Sequence, residues 1–236
     1  MTLMKAQKSC CVKSPSARRS QIELYLRSVK NHSPYFVGIA GGSASGKTSF
    51  LHALLQAFDP SEISLVSQDN YYRPASEQKE DENGWLNFDL PQSLHRDEYY
   101  RDLVQLSEGK RIERLEYTFN NPAVTPKTIA IEPTRIIITE GLFVFHYTEV
   151  WNLLNYKVFL HADADVRLQR RIQRDAVERG YPEAHVRYQW DNHVMPADYA
   201  FLQPHKAACD LIVDNDEHFA PGLDQLVEHL RTILNA

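Results

Sequence analysis

The chain has 236 residues, enough for one domain with a full hydrophobic core, and its 43% apolar and 24% charged residues are ordinary for a globular fold. No apolar stretch reaches the roughly 18 to 20 residues of a membrane span, and no apolar run with a small-residue cleavage site stands near the N-terminus, so a cytoplasmic protein is expected. The net charge is −5; residues 1–34 hold seven Lys or Arg and one Glu, a net of +6, which leaves −11 on an acidic remainder that would repel a nucleic-acid backbone.

Residues 1–20 read as a flexible basic leader without aromatic interleaving or a dense basic run. Cys10, Cys11 and Cys209 are odd in number and lack metal-ligand spacing, the pattern of free thiols in a reducing compartment. In chain order, helical spacing of Ile22, Leu26 and Val29 predicts a helix over 21–29, and an apolar run predicts a buried strand over 36–40. Phe50, Leu51, Leu54, Leu55 and Phe58 give the apolar face of a helix over 48–58. A strand over 63–67 follows, then a polar, irregular stretch over 73–95 with a turn signal at Glu82-Asn83-Gly84. A helix is expected over 97–106, closed by Gly109, and strands over 112–119 and 127–132. The unbroken Ile136-Ile137-Ile138 makes 135–139 the firmest strand. Further strands are expected over 158–160 and 211–213. Helices are expected over 165–179, ended by Gly180, over 197–202 and over 223–234. Short apolar strands alternating with helices predict an α/β fold: a three-layer sandwich with a parallel central sheet and helices on both faces. Nothing divides 21–236 into two domains, although 73–133 could form a substrate-side insertion.

Between the first strand and the next helix stands Gly41-Gly42-Ser43-Ala44-Ser45-Gly46-Lys47-Thr48. The pattern G-x-x-x-x-G-K-T in that position is a phosphate loop. Glycines let the loop curl with its N–H groups inward, and the helix N-terminus adds unpaired N–H groups and a dipole that favours anions. Lys47 can neutralise β- and γ-phosphate oxygens, and Thr48 can offer a hydroxyl to Mg2+. The expected nucleotide-binding residues are Gly41, Gly42, Ser43, Ala44, Ser45, Gly46, Lys47, Thr48 and Ser49. This is the P-loop NTPase version of the sandwich.

Three constellations favour a small-molecule kinase over a switch or a motor. Ser67-Gln68-Asp69 puts a carboxylate at the end of the second strand, where such sheets bind ligands. Asp69 could take an acceptor's proton or order Mg2+, or it could merely cap the next turn. Glu140, directly after the Ile run, suits the metal side of the site, or it could face an edge without any metal. Arg167, Arg171 and Arg174 share a face of the 165–179 helix, with Arg170 beside them. Against only Asp165 and Asp175 nearby, they form either a solvated face or a lid, over 163–190, that closes on a triphosphate and excludes water. A guanine-reading N/T-K-x-D element is absent, which argues against a GTP switch.

Six pieces, GIAGGSASGKTSF, SQDNYYR, NFDLPQSL, IIITEGLFVF, DADVRLQRRIQRDAVERG and PHKAACDLIV, make the chain resemble the uridine kinase (uridine-cytidine kinase) family over 36–214. That family is related to phosphoribulokinase and to a class of pantothenate kinase. The resemblance implies ATP-dependent transfer of a γ-phosphoryl group to the 5′-hydroxyl of uridine or cytidine in pyrimidine salvage, with Mg2+, and with GTP as a second candidate donor. It implies an assembly of like subunits and feedback by a pyrimidine nucleotide. Position by position, Asp69 matches the catalytic base and Glu140 the magnesium-side acid, with Thr48 and Asp69 completing the expected metal set. Arg171 and Arg174 match lid arginines that act with Lys47 in catalysis. Tyr72, Asp89, Tyr117 and Gln189 match the nucleoside pocket, Asp89 holding the ribose hydroxyls and Tyr117 packing by the pyrimidine. The chain departs from the family at Pro122, where a base-reading histidine usually stands, and at Tyr181, where many relatives have arginine. His95 and His146 are candidates to stand in for that histidine. Two other functions remain open: the same chemistry on a sugar phosphate or another small alcohol, and a nucleotide-binding regulator that has lost turnover.

Overall fold

The computed structural model describes residues 33–118 and 124–236, and the compact unit that concerns function is Pro34–Ala236. The basic leader, the expected 21–29 helix and Pro122 lie outside the described residues. In chain order the unit runs β1 (Tyr35–Ala40), α1 (Lys47–Gln56), β2 (Ile63–Ser67), the short strands β3 (Lys79–Glu80) and β4 (Leu86–Asn87), and α2 (Arg96–Ser107). The strands β5 (Ile112–Leu115), β6 (Thr128–Ile131) and β7 (Ile136–Gly141) follow, then α3 (Thr148–Trp151), β8 (Tyr156–His161), α4 (Ala164–Arg179) and α5 (Glu183–Gln189). An irregular helical run over 190–206, β9 (Leu211–Asp214) and α6 (Ala220–Leu234) complete it. The strand expected over 112–119 is shorter than its sequence suggested, because pairing with β6 ends at Leu115↔Thr128.

The central sheet is parallel, with strand order β2-β7-β1-β8-β9. Its inner strands are largely apolar because helices cover both faces. The isoleucine run splits by alternation: Ile136 and Ile138 join the layer under α1 and α6, while Ile137 joins the opposite layer. Phe50, Leu51 and Leu54 of α1 and Leu226 and Leu230 of α6 fill the first layer. Tyr99, Leu103 and Leu106 of α2, with Phe143, Phe145 and Leu202, fill the second. Thus α2, inside the 73–133 segment, covers the sheet itself, and the Tyr99 hydroxyl shares a hydrogen bond with Thr139 of β7. Residues 79–87 form a hairpin around Gly84, as the turn signal predicted.

β1 is the middle strand, and the connections from it and β7 run toward opposite edges of the sheet. Their carboxyl ends therefore bound the crevice where open α/β sheets hold ligands. The helix expected over 197–202 belongs to the 190–206 run, which contains π-helical turns at Trp190–Val194 and Asp198–Leu202. Among the described residues no helix is long and apolar enough to cross a membrane.

Ile138 is fully buried between the two neighbours of β7. Ile138→Ala is expected to cost about 2–5 kcal/mol in urea unfolding, whereas Val177→Ala, at a side chain 86% exposed, should stay within about 0.5 kcal/mol of the parent.

Candidate active site

The loop between β1 and α1 is curled. Ala44 and Gly46 both have positive φ, 60° and 94°, and the Ser45 N–H donates to the Gly42 carbonyl at 3.0 Å. Gly46 cannot carry a side chain: a Cβ there would meet Asn215 Nδ2 at 2.3 Å. That amide donates to the Ser45 carbonyl at 2.8 Å, so the end of β9 braces the loop from behind. At Gly42 a Cβ would fall 1.5 Å from Arg167 Nη1, which packs directly on the backbone. The Ser45 hydroxyl is buried without a protein partner. Lys47, at the start of α1, turns back and donates to the Gly41 carbonyl at 2.7 Å. Thr48 and Ser49 follow it, exposed on the first turn of α1.

Two carboxylates flank that lysine. β2 ends at Ser67, which caps the 3-10 turn Gln68–Tyr71 by accepting from the Asp69 N–H at 3.4 Å. Ser67, not Asp69, is therefore the cap, which leaves the Asp69 carboxylate free for other work. The same Ser67 hydroxyl donates to Glu140 Oε1 at 2.5 Å, tying the two acidic positions together. Glu140 is 8% exposed on an inner strand, so the edge-facing alternative is overturned. Burial, and after it the Asp69 charge, pushes the Glu140 carboxyl up to about 7. Burial also raises Asp69, against the pull of Lys47, Arg179 and Arg174. Lys47 is lowered by burial while both carboxylates pull it back up. The three groups form one electrostatic unit at the carboxyl ends of β1, β2 and β7.

Beside them lies an aromatic pocket. Tyr72 faces Tyr117 at 5.5 Å between ring centroids and Phe88 at 6.2 Å. The backbone N–H of Tyr117 donates to Asn70 Oδ1 at 3.0 Å, so the 3-10 turn that carries Asp69 also positions this ring. Asp89 follows β4, its backbone N–H donating to Asn87 Oδ1 at 2.9 Å. Burial raises its carboxyl, while Arg171, His193, Arg179 and Arg174 work to lower it.

The arginines of α4 divide. Arg171 reaches the loop, donating from Nη1 to Ser43 Oγ at 2.7 Å and from Nη2 to Gln189 Oε1 at 3.0 Å. Arg174 donates to the fully buried Asp175 at 2.8 Å, and Arg171 and Arg179 lie 3.3 and 3.5 Å from the same carboxylate. Arg174 is also among the charges acting on Lys47, Asp69 and Asp89. Arg167 is neutralised by Asp198 at 2.9 Å. Arg170 turns away from the others and donates to the carbonyls of Asn215 and Asp216 at 2.9 and 3.0 Å. The apparent excess of four guanidiniums is thus reduced to two, Arg171 and Arg174, because the partners of Arg167 and Arg170 come from distant sequence.

Residues 36–218 match the Phosphoribulokinase / Uridine kinase family. The uridine kinase of Brevibacillus brevis is 34% identical over 201 residues, covering 85% of this chain and 94% of that protein. Uridine kinase-like protein 3 of Arabidopsis thaliana is 35% identical over 206 residues, and there the match spans only 43% of the plant protein. The structure described as a possible uridine kinase from Bacillus stearothermophilus superposes with a TM-score of 0.54 at 16% identity, covering 83% of this chain and 98% of that one.

The chain belongs to the phosphoribulokinase/uridine kinase family. It is a P-loop small-molecule kinase.

Within this kinase, Gly41 to Lys47, Asp69, Glu140, Arg171 and Arg174 converge on one crevice, and Tyr72, Asp89, Tyr117 and Gln189 border it through the contacts above. His95 and His146 do not join it. They line a separate cleft of about 680 Å3 with Arg73, Arg96, Tyr147 and Glu149. Tyr181 packs its ring on His185 at 4.6 Å and is 38% exposed. Sequence reasoning missed Ser67 and Asn215, whose roles rest on contacts 73 and 170 residues away.

Among the described residues no group of three His, Cys, Asp or Glu side chains could by itself hold a metal ion. The donors present, the Thr48 hydroxyl and the Glu140 and Asp69 carboxylates, are hard oxygen ligands that fit Mg2+. That ion ordinarily completes its shell with water and phosphate oxygens rather than a protein cage. Burial raises both carboxyls, and a cation beside them would favour their charged forms.

Glu140 therefore carries a testable cost. Its folded value lies above its ordinary 4.5, so the folded state binds the proton more tightly and stability falls as pH rises from about 4.5 to about 7. In the nucleotide-free protein, Glu140→Gln should raise the melting temperature at pH 8 by roughly 3 °C or more, with the gain shrinking at pH 5. A gain independent of pH would show that ionisation of Glu140 is not the cause.

Proposed function

We propose that this kinase transfers the γ-phosphoryl group of ATP to the 5′-hydroxyl of a pyrimidine nucleoside, uridine or cytidine. The observation that carries the reading is the placement of Asp89 and the Tyr72–Tyr117 ring pair beside Asp69 and the phosphate loop. An ionised carboxylate has several acceptor sites for a vicinal diol, and flat rings suit a base. Relatives named uridine kinase, matched along nearly their whole length, support it.

The acceptor hydroxyl sits against Asp69, which aims it and takes its proton as its oxygen bonds to the γ-phosphorus. The bond to the β–γ bridging oxygen breaks, and ADP leaves. Lys47 leaves the Gly41 carbonyl for the phosphate oxygens, and Arg171 and Arg174 bear on the charge of the transferring group. Mg2+, held by Thr48, Glu140 and Asp69, would supply further neutralisation of phosphate charge. The helix α4 and the segment through Gln189 act as the lid that keeps water from the γ-phosphate, since an open site would hydrolyse ATP. Asp89 disfavours a sugar phosphate acceptor, because a half-buried carboxylate repels a second anion. The acidic body disfavours nucleic acid as a partner.

ADP release measured by a coupled assay should be accelerated by uridine or cytidine and not by sugar phosphates, with ATP compared against GTP as donor. Asp69→Asn should lower kcat by about 10²-fold or more while nucleotide affinity, measured by calorimetry, stays close to the parent's. A wild-type protein that binds ATP but is accelerated by no nucleoside would reject this function.

A further inference from the structure

Tyr71 ends the 3-10 turn that carries Asp69, and its side chain is buried. Burial, and after it the Asp102 charge, raises the Tyr71 hydroxyl above its ordinary value, so the group stays protonated and donates. It donates to Asp102 Oδ2 at 2.9 Å. Asp102 is a buried carboxylate on α2, a helix fixed to the sheet by Leu103 and Leu106 and by the Tyr99–Thr139 bond. Arg114 of β5 grips the same oxygen, with Nε at 3.0 Å and Nη2 at 2.8 Å. Its Nη1 donates to Glu98 Oε2 at 2.7 Å. The Arg114 guanidinium also lies over the Tyr71 ring, 4.2 Å from the centroid. The Asp69 turn, α2 and β5 therefore meet on one carboxylate oxygen.

That meeting point bears on the ring pair. β5 and β6 form a two-stranded hairpin outside the central sheet, a unit with little rigidity of its own. Ile112 and Ile131, paired with each other and buried in the second apolar layer, anchor its base. Toward the other end Leu115 is exposed, and Tyr117 stands two residues beyond it. This end is joined to the Asp69 turn at two points. Arg114 reaches it through Asp102 and Tyr71, and the Tyr117 N–H donates to Asn70 Oδ1 at 3.0 Å. Asn70 and Tyr71 directly precede Tyr72. The Tyr72 side is held in turn by main-chain bonds, from the His95 N–H to the Tyr71 carbonyl and from the Arg73 N–H to the Ser93 carbonyl, both at 2.8 Å. Between these two supports the Tyr72 and Tyr117 rings stand 5.5 Å apart.

We propose that Tyr71, Asp102 and Arg114 are positioning residues that form a clamp, and that this clamp sets the gap between Tyr72 and Tyr117 and with it the affinity for the acceptor. The inference rests on the reading of those two rings as the walls that receive the nucleoside's base. The clamp lies on the acceptor side alone, so the triphosphate side is left untouched.

Steady-state kinetics with uridine and ATP test it. Arg114→Gln should raise KM for the nucleoside about fivefold or more, with KM for ATP near the parent value. Arg114→Lys, which keeps a cation against Asp102 without the two-pronged grip, should give a nucleoside KM between those of the parent and the glutamine variant. In a Tyr117→Ala background, Arg114→Gln should change the nucleoside KM by less than about twofold, because the ring whose place it sets is gone. Equal rises in both KM values, or an undiminished effect in the Tyr117→Ala background, would mark a contact that merely stabilises the fold, and either result overturns the proposal. Should Arg114→Gln fail to fold, Tyr71→Phe keeps the ring and the Arg114–Asp102 pair. It should raise the nucleoside KM about threefold, again with KM for ATP near the parent value. If the wild type is accelerated by no nucleoside, the proposed function and this inference fall together. If the wild type is active and the Arg114 and Tyr71 variants keep its nucleoside KM, only the inference falls.

Discussion

A lysine and two carboxylates share the carboxyl ends of three adjacent strands, each shifting the others' protonation. Lys47, Asp69 and Glu140 are costly to place there: burial works against the charged form of all three, and the mutual attraction offsets it only in part. The rest of the unit holds that arrangement. The parallel sheet presents the three strand ends at one crevice, Ser67 bridges the two acidic positions, and Asn215 braces the loop that carries the lysine. In the proposed reaction, nucleotide phosphates would pair with the lysine and Mg2+ with the acids. Local instability of this kind is common where function, rather than packing, selects the residues.

The second constraint is exclusion of water. The α4 helix touches the phosphate loop through Arg171 to Ser43 and through Arg167 lying on Gly42. Asp175 and Asp198 balance this positive helix from inside the protein, so it can approach the loop without self-repulsion. The acceptor side is attached to the same elements. The turn that carries Asp69 places Tyr117 through Asn70, and the hairpin that leads to Asp89 is knotted to α5 and the turn after it. The residues proposed for the donor and acceptor sites are thus joined by one connected group of contacts.

Much of this was legible in the sequence because the decisive signals are local. The phosphate loop lies within eight consecutive residues, and its strand and helix carry plain apolar patterns. Asp69 follows the short apolar strand β2, and Glu140 stands near the end of β7, which announces itself by its isoleucine run. What could not be read were pairings between distant segments. Arg167 and Arg170 looked like part of a phosphate-facing cluster, because Asp198 and the carbonyls of Asn215 and Asp216 stand 31, 45 and 46 residues further along. The Asp81–His193 bond spans 112 residues, and neither residue sits in a motif. The π-helical turns have no periodicity signal of their own, so 190–206 showed only as a fragment of helix over 197–202. Strand length near 115 depended on where the partner strand stops, which periodicity does not encode.

The most direct test of the central claim is an experimental structure with a non-hydrolysable ATP analogue, Mg2+ and uridine bound together. The account predicts Lys47 Nζ withdrawn from the Gly41 carbonyl and seated on β- and γ-phosphate oxygens, with an Asp69 oxygen within about 3 Å of the acceptor's 5′-oxygen. A ternary complex in which Lys47 keeps its bond to Gly41, or in which Asp69 points away from the acceptor hydroxyl, would contradict it.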